Sequence, residues 1–134
     1  MQKYIALTAL ALGLSACTTL TRQEEVGLQQ LKRQGVTIDK PVGSWEKPAN
    51  PLTAGLLNLL PGIGNFYLAA GNAGESPHYI YGFANLLLWP YSILWGIPEA
   101  AVDAQAINKR DLLYYYQYDK LGIKELSQSG IRLD

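Results

Sequence analysis

Apolar and polar positions divide the chain into an apolar N-terminal segment, a polar arm, a long apolar centre and a polar tail. The centre holds two uncharged runs, residues 52–71 and 79–97, separated by a turn rich in glycine and asparagine. Each run is about as long as the roughly 20 residues that cross a bilayer as a helix. Pro61 and Pro90 interrupt them, and an interior proline removes a helical hydrogen bond. The pattern predicts a kinked apolar helical hairpin over 52–98, or four short helices.

The polar arm begins with the signature of a helix N-terminus. Thr21 and Glu24 have the spacing of a capping box, and Gly35 suits the position just past the end of a helix. Residues 36–38 read as a short strand. The proline-rich stretch 40–51 then predicts an extended linker.

The polar tail predicts an amphipathic C-terminal helix and a second copy of the arm. Residues 99–118 lack glycine and proline, and residues 120–134 echo residues 25–39 at a constant offset. In both copies a short helix is followed by a glycine and then a short strand. If this repeat is real, the two strands are expected to pair with each other or to offer edges to another chain. The alternative is that the similarity arose by chance. The fold class predicted is mainly α, with the central hairpin, the amphipathic helix and two short, possibly paired strands.

Charge excludes one class of partner. The chain has 11 Lys and Arg against 11 Asp and Glu. A protein that binds nucleic acid needs a basic face, so no nucleic acid is expected. Between residues 48 and 98 only Glu75 is expected to be ionised.

Candidate catalytic chemistry is sparse. The chain has one histidine, His78, and one cysteine, which argues against a metal site, and no nucleophile or phosphate-binding motif occurs. Glu99 and Asp103 lie one helical turn apart and could act as paired carboxylates, although a solvated first turn is the expected role. We expect no enzyme activity and no cofactor.

The N-terminal apolar segment follows Lys3 and ends in Leu14-Ser15-Ala16-Cys17. This sequence resembles the bacterial lipobox. The resemblance implies a signal peptide over 1–16, diacylglycerol attached to the Cys17 sulfur, cleavage before Cys17, acylation of the new amino group, for example by palmitate, and a lipidated tether over 17–20. A free thiol in a buried N-terminal helix is the alternative. Thr18 stands where the lipoprotein family often has an aspartate for inner-membrane retention, which implies the outer membrane, facing the periplasm.

The centre contains Gly62, Gly64, Phe66, Tyr67 and Gly71, followed by a segment rich in Trp and Leu over residues 86–95. These positions resemble the TM2-type hairpin, which has a glycine-rich first helix, a Phe-Tyr pair and a second helix rich in Trp and Leu. That family implies a membrane-associated hairpin and no catalytic role. The turn here has no basic residue, unlike the family's turn.

Three interpretations of the hairpin stay open: it spans a bilayer, lies in one leaflet, or forms the core of a soluble domain. A span from a periplasmic anchor would place Glu75 in a cytoplasmic turn, where Lys and Arg are usual. A soluble core would need the two small polar ends to cover helices that are apolar all round.

The predicted function is a non-enzymatic, lipid-anchored envelope protein that acts as an interaction or assembly component. Its partners would be membrane lipid through Cys17 and an envelope protein or a second copy. The alternative is a periplasmic binding module for a lipid or another apolar ligand. The predicted divisions of the mature chain are a helix–strand arm (21–39), a linker (40–51), the hairpin (52–98) and the helix with the helix–strand tail (99–134).

Overall fold

The computed structural model describes residues 19–133 and is mainly helical. Cys17 and Asp134 lie outside the described residues, as does the predicted signal peptide. No strand occurs in the part of the chain that is described, and no helix there is both long and apolar enough to cross a membrane. The helices are α1 (Arg22–Arg33), α2 (Pro51–Leu57), α3 (Ile63–Ala70), α4 (His78–Leu87), α5 (Ile93–Tyr118) and α6 (Lys120–Gln128).

The chain forms two compact units. The first, here the apolar unit, comprises residues 49–104. The second, the terminal unit, comprises residues 19–48 and 105–133. Helix α5 contributes to both, because its residues through Ala104 belong to the apolar unit and those from Gln105 to the terminal unit.

The terminal unit has a conventional hydrophobic core. The predicted linker takes part in it, since Trp45 is buried there and donates from Nε1 to Asp111 Oδ2 at 2.8 Å. The hydroxyl of Tyr116 lies 2.7 Å from both the backbone nitrogen and the carbonyl oxygen of Val42. The buried cluster consists of Leu31, Val36, Trp45, Leu112, Leu113, Tyr116 and Leu126.

The capping box at the start of α1 is confirmed. Thr21 Oγ1 accepts from the Glu24 backbone, and Glu24 Oε2 accepts from the Thr21 backbone at 2.6 Å. The other Glu24 oxygen accepts from Arg110 at 3.0 Å and from the Tyr114 hydroxyl at 3.1 Å. Burial alone would raise the pKa of Glu24, but its hydrogen bonds to Thr21 and Tyr114 and the Arg110 charge lower it.

The two predicted strands are wrong. Each copy of the repeat instead forms a cap at the C-terminus of a helix. Gly35 and Gly130 have φ angles of +84° and +74°, and each follows a helix. The next residue in each copy donates back into that helix, Val36 to the Leu31 carbonyl at 3.0 Å and Ile131 to the Leu126 carbonyl at 3.1 Å.

This is the Schellman cap, in which an apolar residue after the glycine packs on the last turn. The alternating apolar residues after each glycine therefore serve the cap and the core. The first copy has only one isolated bridge, between Thr37 and Lys40. The copies meet in the same core, and Gln34 Nε2 donates to the Arg132 carbonyl at 2.9 Å.

The apolar unit has helix breaks where the prolines predicted them. Pro61 lies between α2 and α3, and Pro90 lies between α4 and α5. The expected start of the C-terminal helix at residue 99 is wrong, because α5 begins at Ile93 and contains Pro98. Pro98 lies near the helix start, so the helix continues past it with the loss of one backbone hydrogen bond, to the Leu94 carbonyl.

Leu31→Ala is expected to destabilise the terminal unit by about 2–5 kcal/mol, because a fully buried leucine leaves a cavity when it is truncated. Val26→Ala is the matched control on the same helix, where the side chain is half exposed. Hydrogen–deuterium exchange of α1 and α6 measures the effect. Equal protection in both variants would contradict the proposed core.

Candidate functional site

The apolar unit exposes apolar side chains and buries polar ones, the reverse of the usual distribution. Its largest apolar side chains point outward, with Leu87 83% exposed, Leu94 81% and Ile80 73%. Its buried side chains are mostly polar or small, and Asn65 is fully buried. In a water-soluble domain the opposite distribution is usual, so an exposed apolar patch of this extent marks a contact surface. Other exposed apolar residues of this unit are Leu52, Leu56, Leu59, Leu60, Phe83, Leu86, Leu88, Trp89 and Tyr91.

Three asparagines form the centre of the buried polar network. Asn65 Oδ1 accepts from Asn58 Nδ2 and from Asn85 Nδ2, both at 2.9 Å. Asn58 Nδ2 also donates to the Gly96 carbonyl at 2.6 Å, and Asn58 Oδ1 accepts from the Gly64 backbone at 2.8 Å. The amides therefore connect α3 with α4 and the segment after α2 with α5.

Glycines let these helices approach closely enough for the amides to meet. A Cβ at Gly62 would collide with the Gly82 carbonyl, and a Cβ at Gly64 would collide with the Ala54 carbonyl. Gly62 also has a φ of +78°, which favours glycine. Gly62 therefore serves both the helix break and the close packing.

A second layer of hydrogen bonds surrounds Asn85. Trp95 Nε1 donates to Asn85 Oδ1 at 3.0 Å, and Ser92 Oγ donates to the Asn85 carbonyl at 2.7 Å. Asn65 Nδ2 lies 3.4 Å from His78 Nδ1. Side chains from α3, α4 and α5 thus share one network.

Glu99 and Asp103 extend the network along α5. The expectation that they form a solvated first turn is wrong, since Glu99 is 7% exposed and Asp103 is fully buried. They lie in the second and third turns of a helix that begins at Ile93, where its inner face is covered. Burial and the neighbouring Asp103 raise the pKa of Glu99 to about 7, against a smaller opposing effect of its hydrogen bond with Asn85.

His78 is the first residue of α4 and is 1% exposed. Its Nδ1 lies 3.9 Å from Asp103 Oδ2, and its ring meets that of Tyr81 edge to face at 5.6 Å. Burial lowers the pKa of His78. Within residues 19–133, no three His, Cys, Asp or Glu side chains form a group that could hold a metal ion.

Sequence reasoning singled out His78, Glu99 and Asp103 but missed the asparagines that connect them. The signal was present, because polar residues recur every seven positions along the apolar runs. Within one helix such a period places residues on nearly the same face, as it does for His78 and Asn85 in α4. The positions are Asn58 and Asn65 in the first run and Asn85 and Ser92 in the second, with His78 and Glu99 on either side of the second run.

No family model, curated protein or solved structure matches the chain. The lipobox and TM2-type resemblances therefore stay predictions.

Asn65→Ala is expected to destabilise the apolar unit by about 2–6 kcal/mol, since two buried amide donors lose their acceptor at about 1–3 kcal/mol each. Asn72→Ala is the matched control, because Asn72 has the same seven-residue spacing but is exposed in the turn. Protection of α3 and α4 from hydrogen–deuterium exchange measures the difference. An Asn65→Ala protein as protected as the control would show that the network does not stabilise the unit.

Proposed function

We propose that this protein is a non-enzymatic, lipid-anchored component of the cell envelope whose apolar unit docks in one leaflet of a membrane. Acyl chains on Cys17 would hold the chain at the membrane. The leaflet would cover the exposed apolar side chains of residues 49–104. Interaction or assembly with other envelope components would then take place at this membrane.

The reversed polarity of the apolar unit is the observation that supports this function. Leucines and aromatic residues outside, with amides and carboxyls inside, suit a unit whose surroundings cannot form hydrogen bonds. Hydrocarbon stabilises an exposed leucine by about 1.5–3 kcal/mol relative to water. The three buried asparagines meanwhile bond to one another, so none of the Asn65 hydrogen bonds would have to be given up on entry into lipid.

Helix length favours one leaflet over a complete span. Helix α4 has 10 residues, and at 1.5 Å per residue it extends about 15 Å. The hydrocarbon core of a bilayer is about 30 Å thick, so α4 reaches about half of it. Helices α2 and α3 are shorter still, with 7 and 8 residues.

The distribution of charged residues in the apolar unit also supports docking in one leaflet. Residues 49–104 contain no lysine or arginine, and Glu99 and Asp103 are buried. Glu75, in the turn between α3 and α4, is the one other carboxylate of this unit. The surface offered to lipid therefore carries almost no charge to desolvate, which would cost several kcal/mol per ion.

Replacing Cys17 by serine separates the anchor from the docking surface. The Cys17→Ser protein, exported with a conventional signal peptide, is expected to lose metabolic labelling with palmitate but to stay with membranes after carbonate extraction. The apolar unit supplies that second attachment. Extraction of the variant as a stable soluble monomer would contradict leaflet docking, and retained palmitate would contradict the lipobox prediction.

A single charge on the docking surface is expected to weaken membrane binding of the Cys17→Ser protein at least tenfold. Leu87→Lys places an ammonium where the side chain is 83% exposed, at a cost of about 2.5–3.5 kcal/mol in a membrane core. Leu121→Lys is the matched control, on α6 of the terminal unit, and should leave binding nearly unchanged. Cosedimentation with phosphatidylethanolamine–phosphatidylglycerol vesicles measures both. An equal loss in the two variants would refute a docking surface confined to the apolar unit.

A further inference from the structure

The helices of the apolar unit have no polar outer face. Among residues 49–104, the exposed side chains on helices are apolar, apart from Thr53 and the hydroxyl of Tyr79. The asparagines and carboxyl groups of these helices lie on buried faces. A helix that lies flat at a membrane surface keeps one apolar face in lipid and one charged or polar face in water. Within residues 49–104 no helix has such a pair of faces.

One end of the unit is polar. The turn between α3 and α4, residues 71–77, contains no large apolar side chain and carries an asparagine, a glutamate and a serine. The backbone nitrogen of Asn50, the N-cap of α2, donates to the Tyr67 hydroxyl at 3.1 Å. Tyr67 lies in the C-terminal half of α3, which leads into the turn. The start of α2 and the turn are therefore at the same end.

The two helix breaks carry exposed apolar side chains instead. The break between α2 and α3 exposes two leucines, of which Leu60 is the more exposed. The break between α4 and α5 exposes Trp89 and Tyr91. Neither break contains a charged residue. Residues 59–61 and 87–91 are together called the apolar tip.

The two breaks meet at the end opposite the polar turn. Asn65 Oδ1 accepts from Asn58, which lies in the first break, and from Asn85, near the end of α4. Asn58 also donates to the Gly96 carbonyl, near the start of α5. The end of α2, the start of α3, the end of α4 and the start of α5 therefore lie together.

Helix α4 carries its last residues past the point where α3 begins. Gly62, immediately before α3, lies against the Gly82 carbonyl. From Gly82, α4 continues for five residues to Leu87, which is about 7.5 Å along the helix. The strongly exposed Leu87 thus belongs to a projecting end and not to the middle of the unit.

We propose that the apolar unit stands upright in one leaflet, with the apolar tip deepest among the acyl chains and the turn 71–77 at the headgroups. This inference rests on the proposed docking function and specifies its lipid partner, the terminal part of the acyl chains near the bilayer midplane. An upright unit places all of its apolar sides in hydrocarbon, whereas a flat one would leave one side in water. Helix α4, at about 15 Å, has the depth of one leaflet.

Two spin labels on α4 test this orientation. Cys17→Ser removes the single cysteine of the chain, so one added cysteine defines the labelled site. Ile80→Cys and Leu87→Cys are matched, because both side chains are strongly exposed and lie seven residues, about 10 Å, apart on one helix. Each labelled protein is bound to phosphatidylethanolamine–phosphatidylglycerol vesicles, and the accessibility of the nitroxide to oxygen and to a water-soluble nickel chelate gives its depth. The Leu87 label is expected about 10 Å deeper than the Ile80 label.

Each other result has a distinct meaning. Equal depths would show that the unit lies flat and would overturn the upright orientation, as would a deeper label at Ile80. Labels that remain in water at both sites would refute the docking function itself. Spin–spin broadening, with neither reagent reaching the Leu87 label, would show that a second copy of the chain covers the tip in place of lipid and would also overturn the proposal.

Trp89 supplies a second measurement that needs no label. It is exposed in the second break, and comparison with Trp89→Phe isolates its fluorescence from that of the other tryptophans. Lipids brominated near the ends of their acyl chains are expected to quench this fluorescence more than lipids brominated near the headgroups. The reverse order would contradict a deep tip, even where the Leu87→Cys protein fails to fold.

Discussion

Hydrogen bonding of buried amides is the constraint on which the apolar unit depends. Its short helices, of 7, 8 and 10 residues, are marginal in isolation, since helices below about 12–15 residues gain too little from propagation. Asn65 joins them because one oxygen accepts from two amides on different segments. A buried amide that lost its partners would cost about 1–3 kcal/mol, so the packing of these short helices depends on the asparagines staying paired.

The two units differ in which kinds of side chain they bury. The terminal unit places leucines, Trp45 and Tyr116 inside and charged residues outside, as water requires. The apolar unit places amides and carboxyls inside and leucines outside. A mean hydropathy of zero over the whole chain by itself hides both patterns.

Local features of the fold were predictable, and long-range features were not. The capping box at Thr21 and the breaks near Pro61 and Pro90 appear where the sequence indicated them. The segments after Gly35 and Gly130 were read as strands because apolar residues alternate there. That alternation serves the Schellman caps, in which a residue after the glycine packs against the preceding turn. A short alternating run cannot distinguish these two uses.

The sequence by itself determined the capping box at Thr21, the helix breaks near Pro61 and Pro90, and which parts of the chain are apolar. Caps, prolines and glycines affect the backbone within a few positions, so their effects on helices can be predicted from the local sequence. Only the tertiary structure decided that the apolar face of residues 49–104 points outward and that Glu99 is buried. Asn65 and Asn85 are 20 residues apart, and Asn58 and the Gly96 carbonyl are 38 apart. Whether a polar residue faces water or another amide depends on such distant partners, which local patterns do not specify.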